Sequence, residues 1–163
     1  MKVFLSTFFL IFYFALVSAR FGQEEKNPAI KQLENFMTGD IGGFLADVSG
    51  VCIDSLLVAA PPCSVQDQCD TIIDVAYFLG GVRKAQLIKL AQRIAVSEKN
   101  TPNAGQRSVV CNKTPRHSEL NGLKAKQDPT KGPGSKLPPF VPRKFAKIRV
   151  FKFDPKKFNR NDS

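Results

Sequence analysis

The side chains with the widest range of chemistry in this 163-residue chain are four cysteines and a single histidine. Thiolates and imidazoles bind zinc, and both residue types can take part in nucleophilic catalysis. No two of the cysteines form a CxxC motif, and His117 does not complete a zinc pattern with them. We therefore expect no metal and no cofactor. The cysteines, which we expect to form two disulfides, are Cys52, Cys63, Cys69 and Cys111.

The beginning of the chain predicts the compartment in which these cysteines lie. Lys2 precedes an apolar run over residues 4–16, and Val17-Ser18-Ala19 offers small residues for cleavage. The run is shorter than the roughly 20 residues of a membrane span, and Arg20 and a polar stretch follow it. We expect residues 1–19 to be a signal peptide and the protein to be secreted and extracellular. Disulfides form and persist on that route.

Apolar residues at steps of three and four predict that helices carry the cysteines. Asn27-Pro28, Asp40 and Ser64 are typical helix starts, and Gly80-Gly81 is typical of a corner between helices. The predicted fold is all-α, a small disulfide-stabilised bundle of about four helices with a disordered basic C-terminal tail. The expected helices run from residue 28 to 37, from 40 to about 57, from 64 to 79 and from 82 to about 98.

Helix geometry favours one disulfide connectivity. If the second and third helices form an antiparallel hairpin, Cys52 lies about seven residues before the turn and Cys69 about six after it. At about 1.5 Å rise per residue these two cysteines face each other. The thirteen residues from Glu98 to Cys111 then allow Cys111 to reach Cys63. We predict the disulfides Cys52–Cys69 and Cys63–Cys111.

The net charge of +10 is concentrated in the last third of the chain. Residues 20–111 hold nine Lys or Arg against ten Asp or Glu, a balance of −1, whereas residues 112–163 hold fourteen against four, a balance of +10. We therefore predict a disulfide-bonded helical domain over residues 20–111. A flexible linker rich in Pro and Gly is expected over 112–139, followed by a basic aromatic tail over 140–163.

Basic and aromatic side chains are interleaved along the predicted tail. Positive charge attracts anionic surfaces, and aromatic rings add stacking or insertion into a membrane interface. Outside a cell we expect the partner to be an extracellular protein or an anionic surface, either a membrane or a polyanionic glycan, and no nucleic acid. The predicted contact residues are Arg143, Lys144, Lys147, Arg149, Phe151, Lys152, Phe153, Lys156 and Lys157.

Catalytic chemistry has little support in the sequence. His117 is expected to be an exposed loop residue, and oxidised cysteines would leave it without a nucleophile. The helical, disulfide-bonded plan is similar to that of small secreted phospholipase A2 enzymes, but that family places an Asp directly after its active-site His, and Ser118 follows His117 here. We predict that the protein is not an enzyme. The helical aspartates, expected on solvated faces, are Asp47, Asp54, Asp70 and Asp74.

A short leader, a small cysteine-containing body and a basic tail are the features from which a function is predicted. In this general design the chain resembles the small secreted proteins that fungi and other colonising organisms release, some of them effectors. We predict a secreted, non-enzymatic, effector-like interaction protein. The alternatives are a secreted carrier of an apolar ligand such as a lipid or sterol and, third, a small secreted hydrolase. Asn112 begins a glycosylation sequon directly after Cys111.

Overall fold

Helices occupy the first half of the part of the chain that the computed structural model describes, residues 24–158. Within that range there is no β-strand, and a single parallel bridge joins Ser108 and Phe140. The prediction of an all-α fold is confirmed. The predicted leader, residues 1–19, lies outside the described residues, as do residues 159–163. The four helices are α1 (Pro28–Glu34), α2 (Gly39–Leu56), α3 (Ser64–Leu79) and α4 (Gly81–Ala95), and short 3-10 turns lie at Glu24–Lys26, Ser118–Leu120, Pro133–Lys136 and Pro155–Lys157.

Helix α1 begins as its cap predicts, but the other starts differ in detail. The Asn27 side chain accepts hydrogen bonds from the backbone N–H groups of Ala29 and Ile30. Asp40 does not cap α2. It lies in the first turn of that helix, where its negative charge complements the positive end of the helix dipole. Ser64 is the first residue of α3, and its hydroxyl donates to the carbonyl of Pro61 at 2.9 Å.

The corner between α3 and α4 depends on two glycines. Gly80 has φ +69° and Gly81 has φ +53°, a backbone region that costs glycine little and other residues much. A single residue, Gly80, therefore separates the end of α3 from the start of α4, and α4 packs along α3. The predicted corner at this position is confirmed.

The core lies among the four helices, because α3 packs on α2 and α4, and α1 packs on α2 and α4 from the other side. Leu45, Ile72 and Leu87 are among its fully buried side chains, one from each of the three long helices. Their spacing follows the helical period predicted from the sequence. Leu120, which is 2% exposed, enters the same core from the chain that follows the helices.

The chain after α4 returns repeatedly to the helical body. Backbone hydrogen bonds run from Asn100 to Leu56, from Lys126 to Val96 and from Ala146 to Ala59, at 2.8, 3.2 and 2.8 Å. The predicted disordered tail therefore does not describe residues 140–158, which lie along the body with specific contacts. The composition of the tail does not reveal this order, because the partners of the tail belong to the body. A segment that cannot fold alone can still be ordered by such partners.

Within residues 24–158, no helix combines the length and the apolar character that crossing a membrane would need.

Candidate functional site

One of the two predicted disulfides is formed. Cys63 and Cys111 are bonded, with their Cα atoms 4.7 Å apart and a separation of 48 positions in sequence. The bond joins the start of α3 to the residue from which the C-terminal chain departs. Loops of this length gain substantial stability from closure in the chain-entropy description. The prediction of Cys63–Cys111 is confirmed.

The second predicted disulfide, Cys52–Cys69, is not formed in the structure. Both cysteines are free thiols and both are fully buried, on α2 and α3. Burial raises the pKa of Cys52 to about 12, and burial followed by the nearby Cys52 raises the pKa of Cys69. The hairpin does bring the pair together, as predicted. Disulfide formation proceeds through a thiolate, which this apolar setting disfavours.

Acidic residues of α3 hold the chain that follows the disulfide. We call this group the anchor cluster; it consists of Asp67, Asp70 and Asp74 with Lys113, Arg116 and His117. The three aspartates recur at steps of three and four, so they share one face of the helix. The three basic residues lie within five positions of one another in the returning chain. Their pairing seats that chain on α3.

Asp70 is the buried centre of the anchor cluster. Its side chain is wholly inaccessible to solvent, and its two oxygens accept hydrogen bonds from the backbone N–H groups of Arg116 and His117, each at 3.0 Å. Two amide donors satisfy a buried carboxylate that would otherwise be costly. The expectation that Asp70 lies on a solvated face is wrong, because these partners lie 46 and 47 residues away and have no local signature.

Asp74 contacts two basic residues at the edge of the same cluster. Arg116 donates to both of its oxygens, at 3.2 and 2.7 Å, and His117 Nε2 lies 2.7 Å from Oδ1. The hydrogen bond to Asp74 raises the pKa of Arg116. His117 is also stacked on Tyr77, with ring centroids 5.7 Å apart. The predicted exposed loop histidine is therefore a half-buried contact residue, and Asp74 is not merely solvated.

The pairing of Asp74 with His117 has the form of two members of a hydrolytic triad, so a nucleophile is the next requirement. Within residues 24–158, no serine, threonine or cysteine hydrogen-bonds to the His117 ring. The Ser118 hydroxyl donates to Glu119 instead. Across the same part of the chain, no group of three or more His, Cys, Asp or Glu side chains is arranged to hold a metal ion.

Aromatic side chains of the tail are turned into the body. We call this group the aromatic cluster; it consists of Phe44 and Phe78 from the helices with Phe151, Phe153 and Phe158 from the tail. Phe153 lies at its centre, 5.6 Å from Phe44, 5.3 Å from Phe78 and 5.1 Å from Phe158 between ring centroids. Phe151 and Phe153 were predicted to contact an anionic surface. Their rings are instead half-buried, because they have apolar partners on the body.

The backbone of the tail is fixed along α3 by two side chains of that helix. Gln68 donates to the carbonyl of Arg149 at 2.8 Å, and Thr71 donates to the carbonyl of Phe151 at 2.7 Å. Both helix residues are buried, at 0% and 1% exposure. Together with the contact of Phe153 on Phe78, these bonds run the tail in the same direction as α3.

The seven basic residues predicted as contacts all have exposed side chains. We call them the basic ridge; it consists of Arg143, Lys144, Lys147, Arg149, Lys152, Lys156 and Lys157. None of them forms an ion pair with a carboxylate among residues 24–158. The guanidinium of Arg149 lies over the ring of Phe151, at 4.4 Å from its centroid. Residues 140–158 contain these seven cations and one acidic residue, Asp154, a balance of +6.

A cavity of about 380 Å³ separates the ridge from the anchor cluster, and Lys152 and Arg116 are among its lining residues. Two others, of about 380 and 450 Å³, border on Arg93. Each of these three cavities has charged side chains in its lining. An apolar ligand would have to desolvate those charges at considerable cost. The helical core itself is filled by side chains.

Asn112, the predicted glycosylation residue, is exposed next to the disulfide at Cys111. Of these site predictions, the Cys63–Cys111 disulfide is confirmed, and the roles of the basic residues and of Asn112 stay predictions. Sequence reasoning missed Asp70, Gln68 and Thr71, which hold the returning chain. The acidic residues at positions 67, 70 and 74 were the available signal for this contact. An acidic face on one helix of a nearly neutral body suggests a cationic partner.

The chain was compared with family models, with curated proteins and with solved structures, and no match was found in any of the three.

Proposed function

We propose that this chain is a secreted, non-enzymatic and effector-like interaction protein that binds an anionic extracellular surface through the basic ridge. The observation that carries the proposal is the ridge itself: seven exposed cations without an ion-pair partner in the described chain, on a segment fixed to a helical body. Unpaired surface cations raise the local potential, and that potential attracts anionic partners.

The body supports this proposal because its own acidic face is already paired. Asp67 and Asp74 border on the same cavity as Lys152, and they would compete for the ridge if they were free. Asp67 is paired with Lys113 instead, and Asp74 is paired with Arg116 and His117. The ridge cations are therefore available to a partner.

Secretion is part of the proposal and rests on two features. The leader-like residues 1–19 have the order of charge, apolar run and small residues that export requires. The Cys63–Cys111 disulfide is typical of oxidising compartments. Intact-mass measurement of the protein in the culture medium should give the mass of a chain that begins at Arg20. A cell-bound product that retains residues 1–19 would contradict this part of the proposal.

Binding is tested by retention of the full mature protein on two anionic surfaces, immobilised heparin and phosphatidylserine-containing vesicles, with uncharged agarose and phosphatidylcholine vesicles as controls. We expect retention on at least one anionic surface at low salt and release as salt is raised, because added ions screen exposed charges. Absence of retention on both surfaces would overturn the proposal.

A further inference from the structure

From the geometry of the ridge we infer that its ligand is a linear, repeatedly charged glycan of the sulfated or carboxylated kind. This inference rests on the proposed function and narrows it from two kinds of anionic surface to one. Three features of the ridge support it: the burial of the neighbouring rings, the spacing of the cations and the fixed backbone that carries them.

The rings favour a glycan over a membrane. Amphipathic segments bind membranes by burying aromatic and aliphatic side chains in the interface, with cations as a second contribution. Three of the four tail phenylalanines from Phe145 to Phe158 lie in the aromatic cluster and are unavailable for insertion. The exposed apolar side chains of the segment are Phe145, Val141 and Val150, at 38%, 62% and 45% of their surfaces. One partly exposed ring and two separate valines bury little area in an interface compared with the continuous apolar face of a membrane-binding segment.

The spacing of the cations matches a linear ligand. At roughly 3.3 Å per extended residue, the Cα atoms of Lys147 and Lys152 lie at most about 16 Å apart, and those of Arg143 and Lys152 at most about 30 Å. The backbone from Arg149 to Phe151 is bonded along one helix, so Lys147, Arg149 and Lys152 follow one another in a row on this stretch and directly beside it. A polysaccharide with an anionic group on successive sugars presents a row of the opposite charge. Arg and Lys both bind such groups, Arg with two parallel donors and Lys as a point charge.

The fixed backbone adds to this match. Hydrogen bonds from Gln68 and Thr71 and the rings on α2 and α3 order the segment before any ligand arrives. A flexible chain loses conformational freedom when it binds, whereas a segment already held in place loses less. The row of cations is therefore presented as a surface of defined length.

The test compares the full mature protein with two charge-matched double variants. Lys147→Gln with Lys152→Gln removes two ridge cations, and Arg83→Gln with Lys89→Gln removes two exposed cations of α4. Heparin oligosaccharides of increasing length are the probe, and anionic vesicles are the second arm. We expect affinity to rise with length until the oligosaccharide spans the ridge. The ridge variant should bind about tenfold more weakly, with the α4 variant close to wild type.

The outcomes separate this inference from the proposed function. Binding to vesicles without binding to heparin oligosaccharides overturns the inference and leaves the proposed function standing. Equal loss in both double variants, or affinity independent of length, also overturns it, since net charge alone would then explain binding. Absence of binding in both arms removes both proposals. Phe145→Ala adds a further check. We expect its heparin affinity to be unchanged, and a loss as large as that of the ridge variant would contradict the assignment of binding to the cations.

Discussion

Asp70 shows how one buried charge can order a long segment of chain. Its carboxylate is inaccessible and accepts two backbone hydrogen bonds, from residues 46 and 47 positions away. Hydrogen bonds to a charged acceptor contribute more than neutral ones, and an orphaned buried donor is costly. The residue therefore fixes the position of Arg116 and His117 on α3.

We expect Asp70→Asn to lower the free energy of unfolding by about 2–3 kcal/mol, because the amide keeps one acceptor oxygen and turns a donor toward the second N–H. Denaturant unfolding monitored by circular dichroism measures the change. Asp47→Asn, on an exposed position of α2, is the matched control and should change stability by no more than about 0.5 kcal/mol. Equal effects of the two variants would contradict the assigned role.

Lys99 makes stability depend on pH. Its ammonium donates to the carbonyls of Ala60 and Pro61, yet burial lowers its pKa from the ordinary 10.5 to about 8. Between these two values the unfolded chain holds the proton and the folded chain does not, so the free energy of unfolding contributed by Lys99 rises as pH rises from about 8 to 10.5.

The contribution is isolated by comparing wild type with Lys99→Met at pH 7, 8 and 9. We expect the stability of wild type relative to the variant to increase across that series. The raised pKa values of Cys52 and Cys69 act in the opposite direction above about pH 9, where unfolded thiols ionise first, and they cancel in the difference. A difference that does not vary with pH would contradict the prediction.

The two free cysteines should be unreactive in the folded protein. Cys52 and Cys69 are fully buried with raised pKa values, and reaction requires an accessible thiolate. We expect a thiol reagent to modify no cysteine in native, unreduced protein and two cysteines after denaturation. A fully reduced, denatured sample should give all four. Failure to find any thiol in the denatured, unreduced protein would show that Cys52 and Cys69 are bonded.

At the scale of elements, the tail is held mainly by rings. Phe153 contacts Phe44 and Phe78, one from α2 and one from α3, and so joins the tail to both helices. The buried apolar area contributes to stability, and edge-on ring contacts add to it. A single residue at this junction should therefore control whether the tail stays in place.

We expect Phe153→Ala to lower stability by about 2 kcal/mol, less than for a fully buried ring, and to speed tryptic cleavage after Arg143, Lys144 and Lys147. Limited proteolysis followed by mass spectrometry measures the second effect. Phe145→Ala removes an exposed ring of the same segment and serves as control. The assignment of Phe153 would be wrong if both variants were cleaved at the wild-type rate.

The helices could be predicted from the sequence because their information is local. Apolar spacing, Asn27 and the Gly80-Gly81 corner determine starts and ends within a few residues. The path of the tail could not be predicted, since Phe151 and Phe153 gain their positions from Phe44 and Phe78, more than 70 residues away. The cations of the ridge were visible in composition, but their order on the surface required these distant contacts.

At the scale of the whole molecule, the predicted division into a domain, a linker and a tail conceals how much the parts depend on one another. Residues after Asn112 supply Arg116 to the anchor cluster, Leu120 to the core and Phe153 to the aromatic cluster. The last third of the chain therefore covers surfaces that the helices leave apolar.

We expect a chain ending at Asn112 to have a free energy of unfolding lower than that of the full chain by several kcal/mol. The reason is that it loses the buried Leu120 and the tail rings of the aromatic cluster together. Denaturant unfolding and binding of a hydrophobic dye measure the loss and the newly exposed surface. Full stability without dye binding would contradict the prediction. Substitutions within the ridge are accordingly better probes of binding than removal of the tail.

The hydrogen bonds from Gln68 to Arg149 and from Thr71 to Phe151 span 81 and 80 residues of sequence. At a synthesis rate of roughly 5–20 residues per second, about 4–16 s pass between the emergence of α3 and the emergence of the segment that covers it. Phe78 thus lacks its contact with Phe153 while 75 further residues are added to the nascent chain, and Phe44 while 109 are added. This part of the fold must wait for residues 149–151, and until they emerge the growing polypeptide exposes aromatic surface of the kind that chaperones shield.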